Sequence, residues 1–179
     1  MEAENRAVAQ LSEQLALKRG YNPRQAKLIK WAAEYHDIGK LLLPQEILCK
    51  SSKLTRSEFE QMKLHTVYGV RILSVIRGEV GKIARETALM HHEWYNGQGY
   101  LGIKAESLPD FIGIVSVCDV YCALVARRVY KQAWTHEKAL HYIVRQSGSQ
   151  FCPTIVEDFV DMVNGHTQTE GCALTNICI

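Results

Sequence analysis

Between Phe111 and Ala126 lies the longest nearly apolar run of the chain, sixteen residues with Asp119 inside it. It is too short for a comfortable membrane span, which takes about 20 residues, and it carries a charge near its middle. It reads instead as a buried helix, opened by Pro109 and reaching about Val129. The apolar spacing of the rest is helical nearly throughout. Val8, Leu11 and Leu15 repeat at steps of three and four over residues 4–19, and Gly20 fits a helix stop. Asn22-Pro23 opens a second helix, with proline where its missing N–H costs nothing. That helix runs through Ala26, Ile29 and Ala33 to Tyr35 and delivers His36-Asp37 near its end, where Gly39 breaks it.

Pro44 marks a loop or short turn. Thr55-Arg-Ser-Glu58 is a capping-box pattern, so a helix begins there. Another helix carries His65, Gly69, Ile72 and Ile76 on one side, and residues 80–94 read as a helix ending at His91-His92-Glu93. The stretch from Tyr95 to Gly102 holds three glycines in eight residues and cannot be a regular element. Helices near 135–147 and 153–164 complete the set. No internal repeat and no multi-stranded sheet is expected. The fold class is therefore all-α: a compact bundle of about seven helices over residues 1–165, followed by a flexible tail, 166–179.

A length of 179 residues fits one domain with a sizeable core. The net charge of +2 gives no reason to expect the basic stripe that duplex nucleic acid needs. An anionic small molecule would need only a few local cations. The six cysteines, Cys49, Cys118, Cys122, Cys152, Cys172 and Cys178, include no C-x-x-C pair, and the opening MEAENRAVAQ lacks the apolar core of a secretory signal. Reduced thiols, a cytoplasmic location and no membrane association are expected.

The chemistry concentrates in His36-Asp37, His65, His91-His92 and Asp119. The separations of 29, 26 and 27 residues each amount to one helix plus one connection. Packed helices could aim all six side chains at one point, as bundles do when they build metal sites. Asp119 carries the strongest physical argument. An isolated carboxylate in an apolar helix costs several kcal/mol, roughly, so it needs a cation or a proton, and no Lys or Arg stands within a turn of it. A metal ion is the economical partner; a protonated or hydrogen-bonded Asp is the plain alternative. His65 alone would be an ordinary helix histidine. Imidazole with carboxylate and no thiolate suits iron, manganese or zinc rather than a structural zinc site. Six donors exceed what one catalytic ion needs. Two ions about 3.5–4 Å apart could share a bridging hydroxide and clamp a phosphoryl oxygen. Lys40, a helical turn after His36, could stabilise charge developing on phosphate, or could be an exposed helix-end lysine.

The ordered set His36-Asp-Ile-Gly-Lys40, Lys63-Leu-His65, His91-His-Glu-Trp-Tyr-Asn-Gly-Gln-Gly-Tyr100 and Cys118-Asp119-Val-Tyr resembles the HD-GYP subgroup of the HD phosphohydrolase superfamily, over roughly residues 4–160. The resemblance implies an HD-domain-like helical fold with two or three divalent ions, usually iron or manganese. It implies hydrolysis of cyclic di-GMP, or a related cyclic dinucleotide, to pGpG or GMP through a metal-bridging hydroxide. His36, Asp37 and Asp119 match the ligands of one ion, with Asp37 bridging to a second held by His65, His91 and His92. Lys40 matches a lysine near the scissile phosphate, while Tyr100, Arg128 and Lys131 match contacts to the dinucleotide. Without the resemblance, Arg128 and Lys131 read as a solvated helix end.

The chain departs from the family pattern at four places. Leu101 replaces the proline of Gly-Tyr-Pro, which is expected to loosen the loop. Glu4 stands where a further metal-binding histidine is usual, and could itself be a ligand. Cys122 and Cys152 replace aspartates. These changes keep open a second function: a catalytically weak or degenerate module that binds metal or cyclic dinucleotide and signals through protein partners. Either function leaves room for a homodimer or a signalling-protein partner.

Overall fold

The computed structural model describes residues 2–126 and 132–169. Among them are eight α-helices and no strand, the one β-type contact being an isolated bridge between Ser147 and Phe151. None of these helices is long and apolar enough to cross a membrane. Helix α1 (Glu2–Lys18) lies against α2 (Pro23–Glu34). A capping box starts α2: the Asn22 side chain accepts from the Gln25 N–H at 3.0 Å, and Gln25 Oε1 accepts from the Asn22 N–H at 3.1 Å. After α2 the chain tightens into a 3-10 turn, Ile38–Leu42, and the short α3 (Gln45–Leu48).

Helix α4 (Arg56–Leu73) starts at the Thr55–Glu58 capping box and runs unbroken through His65, so the two helices expected there are one. No glycine or proline interrupts it before Gly69, and Ile76 falls beyond its end. Helix α5 (Gly78–Met90) stops short of His91-His92, which occupy the following turn. Helices α6 (Asp110–Val125), α7 (His136–Arg145) and α8 (Pro153–Thr169) close the fold. Helix α6 ends four residues before the expected Val129, and α8 continues through Gly165 into the stretch expected as a tail. One glycine costs a helix only about 1 kcal/mol, too little to end it.

Helix α6 is the axis of the core. Its Ile114, Val115, Val117, Cys118 and Cys122 are fully buried with Val8, Leu11 and Leu15 of α1, Ile29 of α2, Ile143 of α7 and Phe159 of α8. A second, smaller cluster of Ala32, Leu73, Ala84 and Ala88 ties α2 to α4 and α5. Helix α2 therefore serves both, and His36-Asp37 follow directly from it. At the far end Arg19 clasps three helices: its guanidinium bonds Asp110 at 2.8 and 3.1 Å and Asp158 at 2.5 Å. The fork of five donors suits this double carboxylate contact.

Candidate metal centre

The donors converge because backbone meets backbone. A Cβ added to Gly39 would lie 1.9 Å from the His65 carbonyl oxygen and 2.4 Å from the Gly69 nitrogen. Only glycine allows the 3-10 turn to sit this close to α4, bringing Asp37 beside His65. Asp37, His65, His91 and His92 then present four donor atoms within 4.8 Å of one another. Asp37 Oδ1 lies 3.4 Å from His65 Nε2 and 3.8 Å from His91 Nε2. His36 Nε2 sits 3.4 Å from Asp37 Oδ2 and 3.5 Å from Asp119 Oδ1. Lys40 Nζ pairs with Asp37 Oδ2.

Three rings are held from behind. His36 Nδ1–H donates to the Ala33 carbonyl at 2.6 Å, and His65 Nδ1–H to Met62 at 2.8 Å. His91 Nδ1–H is shared between the carbonyls of Thr87 and Ala88 at 3.0 and 3.1 Å. These bonds assign Nδ1 as the donor and leave Nε2 facing the centre, the arrangement in which outer partners orient metal-binding imidazoles. His65 Nε2 and His91 Nε2 face each other at 3.4 Å.

Burial presses the His65 and His91 pKa values down, His91 well below the usual imidazole value. Burial also presses His92 down to about 4. All three are thus neutral imidazoles at neutral pH, with lone pairs turned inward. His36 goes the other way. Burial opposes its charge, but Asp37 and Asp119 outweigh it and raise the pKa to about 10. Asp37 stays ionised in spite of its burial because His36 and Lys40 hold its pKa well below the usual carboxylate value. Burial likewise opposes ionisation of Asp119, and His36 overcomes it.

Asp37 Oδ1 is buried without a hydrogen-bond partner. A buried acceptor left unpaired costs about 1–3 kcal/mol, and more when charged. A carboxylate oxygen with imidazole lone pairs converging on it is a donor set that a divalent cation satisfies and a hydrogen-bond network does not. His36 and Asp119 flank this set on its other side, and a cation between them would take the place of the His36 proton. Asp119 is less enclosed than its apolar helix suggested: its side chain is 19% exposed and stands beside His36.

The glycine-rich loop packs on the centre. Tyr100 lies against His92, centroids 4.5 Å apart, and burial, then Asp37 and Asp119, raises its phenol to about 12. A Cβ on Gly99 would come within 2.4 Å of Glu93 Cα, so the loop backbone touches the His92–Trp94 turn directly. The buried Glu93 binds the loop at two points, accepting the Leu101 N–H at 2.6 Å and the Ile103 N–H at 2.8 Å. The N–H groups of Tyr95 and Asn96 donate to the carbonyls of Gln150 and Ser149, both at 3.0 Å. Replacement of proline by Leu101 therefore does not loosen the loop: proline has no N–H to give Glu93. Leu101→Pro is expected to cost about 1–3 kcal/mol in urea unfolding by leaving Glu93 one partner short, and Leu101→Ala under about 0.5 kcal/mol.

Glu93 was visible in sequence only as the third letter of His-His-Glu. Its anchoring role needed the loop's path, although an acid preceding a glycine-rich loop is a signal for such a clamp. Glu4 is half-buried on α1 and lies outside the four-donor cluster. Its neighbours Asn5 and Arg6 line a cavity of about 280 Å³ that reaches Asp37. Arg128 and Lys131 lie outside the described residues.

The HD domain family model matches residues 1–155. Over 157 residues the chain is 37% identical to the cyclic di-GMP phosphodiesterase response regulator RpfG of Xanthomonas campestris pv. campestris (strain 8004), covering 87% of this chain and 41% of that protein. It is 37% identical over 151 residues to the 3'3'-cGAMP-specific phosphodiesterase 2 of Vibrio cholerae serotype O1, covering 84% of this chain and 29% of that protein. The chain thus spans less than half the length of these relatives. Its fold is similar to that of Bd1817, a HDG"Y"P protein from Bdellovibrio bacteriovorus, with a TM-score of 0.70 at 18% identity, covering 90% of this chain and 52% of the other.

Proposed function

The chain belongs to the HD domain family, in its HD-GYP subgroup, and on that premise we propose that it is a metal-dependent phosphodiesterase that opens cyclic dinucleotides, cyclic di-GMP first among them. The observation that carries this reading is the convergence of His65 and His91 on the unpaired Asp37 Oδ1. His36, Asp37 and Asp119 would hold one divalent ion, and Asp37 with His65, His91 and His92 a second. Iron or manganese suits these oxygen and imidazole donors. Glu4 is the proposed donor for a third, from α1. Such ions, when bound, supply the positive charge that acidifies water and polarises a phosphoryl oxygen.

The chain's own residues do the rest. Asp37 remains a carboxylate, and the neutral imidazoles need lose no proton to bind a cation. Lys40, held by Asp37, stands ready to share its charge with a non-bridging phosphoryl oxygen as negative charge builds there. The Tyr100 phenol keeps its proton and can donate to the bound diester. Arg128 and Lys131, ahead of α7 in the sequence, are further proposed contacts to the dinucleotide. Because the relatives are more than twice as long, control by a further domain, a second copy or a signalling protein is part of this reading.

A 3'3'-cGAMP substrate is the second reading, on the strength of the Vibrio relative. One experiment separates them. Protein loaded anaerobically with iron or manganese is incubated with each cyclic dinucleotide and the products are resolved by chromatography. Linear product from cyclic di-GMP, lost on chelation, is expected. Tight binding without product under either metal would overturn the enzyme in favour of a signalling module.

A further inference from the structure

Tyr100 is not the last ring of the centre. Phe59, in the first turn of α4, meets it edge to face with centroids 5.9 Å apart, so rings run from His92 through Tyr100 to the surface. Phe59 is 44% exposed, which leaves part of its ring open to a ligand. One turn along α4, Lys63 holds its Nζ 5.8 Å from the centroids of both Phe59 and Tyr100. Its ion-pair partner is Glu60, at 2.7 Å and 59% exposed, a surface contact weak enough for a phosphate to replace.

We propose that Phe59 and Lys63 form an outer subsite for the half of the cyclic dinucleotide that is not being cut. This rests on the phosphodiesterase reading. A cyclic dinucleotide carries two phosphodiesters and two bases on one closed ring, so the uncut phosphate must lie close to the metal centre whenever the other is engaged there. A purine stacks on the open part of Phe59, and the uncut phosphate meets the Lys63 ammonium. Aromatic stacking accepts any base, whereas a point charge on a flexible stem follows a phosphate without fixing its orientation. The subsite thus favours cyclic dinucleotides over simple diesters while leaving adenine and guanine little distinguished.

The test is steady-state kinetics on metal-loaded protein, with bound metal assayed in each variant. Phe59→Leu keeps the bulk and removes the π face; it is expected to raise KM for cyclic di-GMP about tenfold, with kcat within about twofold and metal content unchanged. Phe59→Trp restores KM, which a role in packing alone would not predict. Lys63→Gln raises KM to a similar degree and weakens its dependence on salt. Unchanged KM in both Phe59→Leu and Lys63→Gln overturns the subsite while leaving the enzyme standing. If wild type shows no turnover, equilibrium dialysis of cyclic di-GMP decides: weaker binding in the two variants supports the subsite, and equal or absent binding overturns it.

Discussion

Asp37→Ala is expected to abolish turnover of cyclic dinucleotides, lowering kcat/KM by at least about 10³-fold, or roughly 4 kcal/mol of transition-state stabilisation. The size of the effect follows from how much meets at one carboxylate. Asp37 lies against His36, His65, His91 and Lys40. Alanine takes the carboxylate that these three imidazoles and the lysine share, so bound metal should fall with the rate. Elemental analysis and product chromatography on the same preparation check both. Lost metal with retained fold is the expected pairing; turnover within tenfold of wild type would sink the mechanism.

Gly39→Ala is expected to be the most damaging small substitution for folding, at about 3 kcal/mol or more, because a methyl group cannot fit 1.9 Å from the His65 carbonyl oxygen. The backbone of α4, not a side-chain tip, blocks it, so the 3-10 turn and α4 must separate. That is a large share of a typical domain stability of about 5–15 kcal/mol. Separation also pulls Asp37 away from His65, so the surviving folded protein should bind metal poorly. Gly165→Ala is the control: nothing lies within 4 Å of its added Cβ, and a helical alanine should be neutral or slightly stabilising. Urea melts of the two variants beside wild type make the comparison; equal midpoints for Gly39→Ala and wild type would refute the contact.

Much of this was legible in the chain before any coordinates. Asn22-Pro23, the capping box at Thr55 and the apolar run after Pro109 gave three helix starts correctly, because caps and burial act locally. Regular spacing of histidines and aspartates pointed to one site, and the fold brings Asp37, His65, His91 and His92 together. What escaped notice depends on two segments meeting. Gly39 looks like a simple helix breaker until α4 is laid across it. Glu93 looks like a motif letter until the loop folds back on it. Asp119 looked sealed because an apolar helix hides which face turns to a polar neighbour. The end of α5 was set three to four residues late because the histidines sit in a turn that spacing does not distinguish from a helix.

The Glu93 clamp also bears on how such sequences drift. A proline restrains its loop through the ring, wherever the chain goes, so the restraint resides at that one position. A backbone N–H restrains the loop through its acceptor, and every residue except proline carries one. With the Leu101 side chain 49% exposed, position 101 is open to nearly any substitution as long as Glu93 is kept. In this chain the restraint is exerted from eight residues upstream.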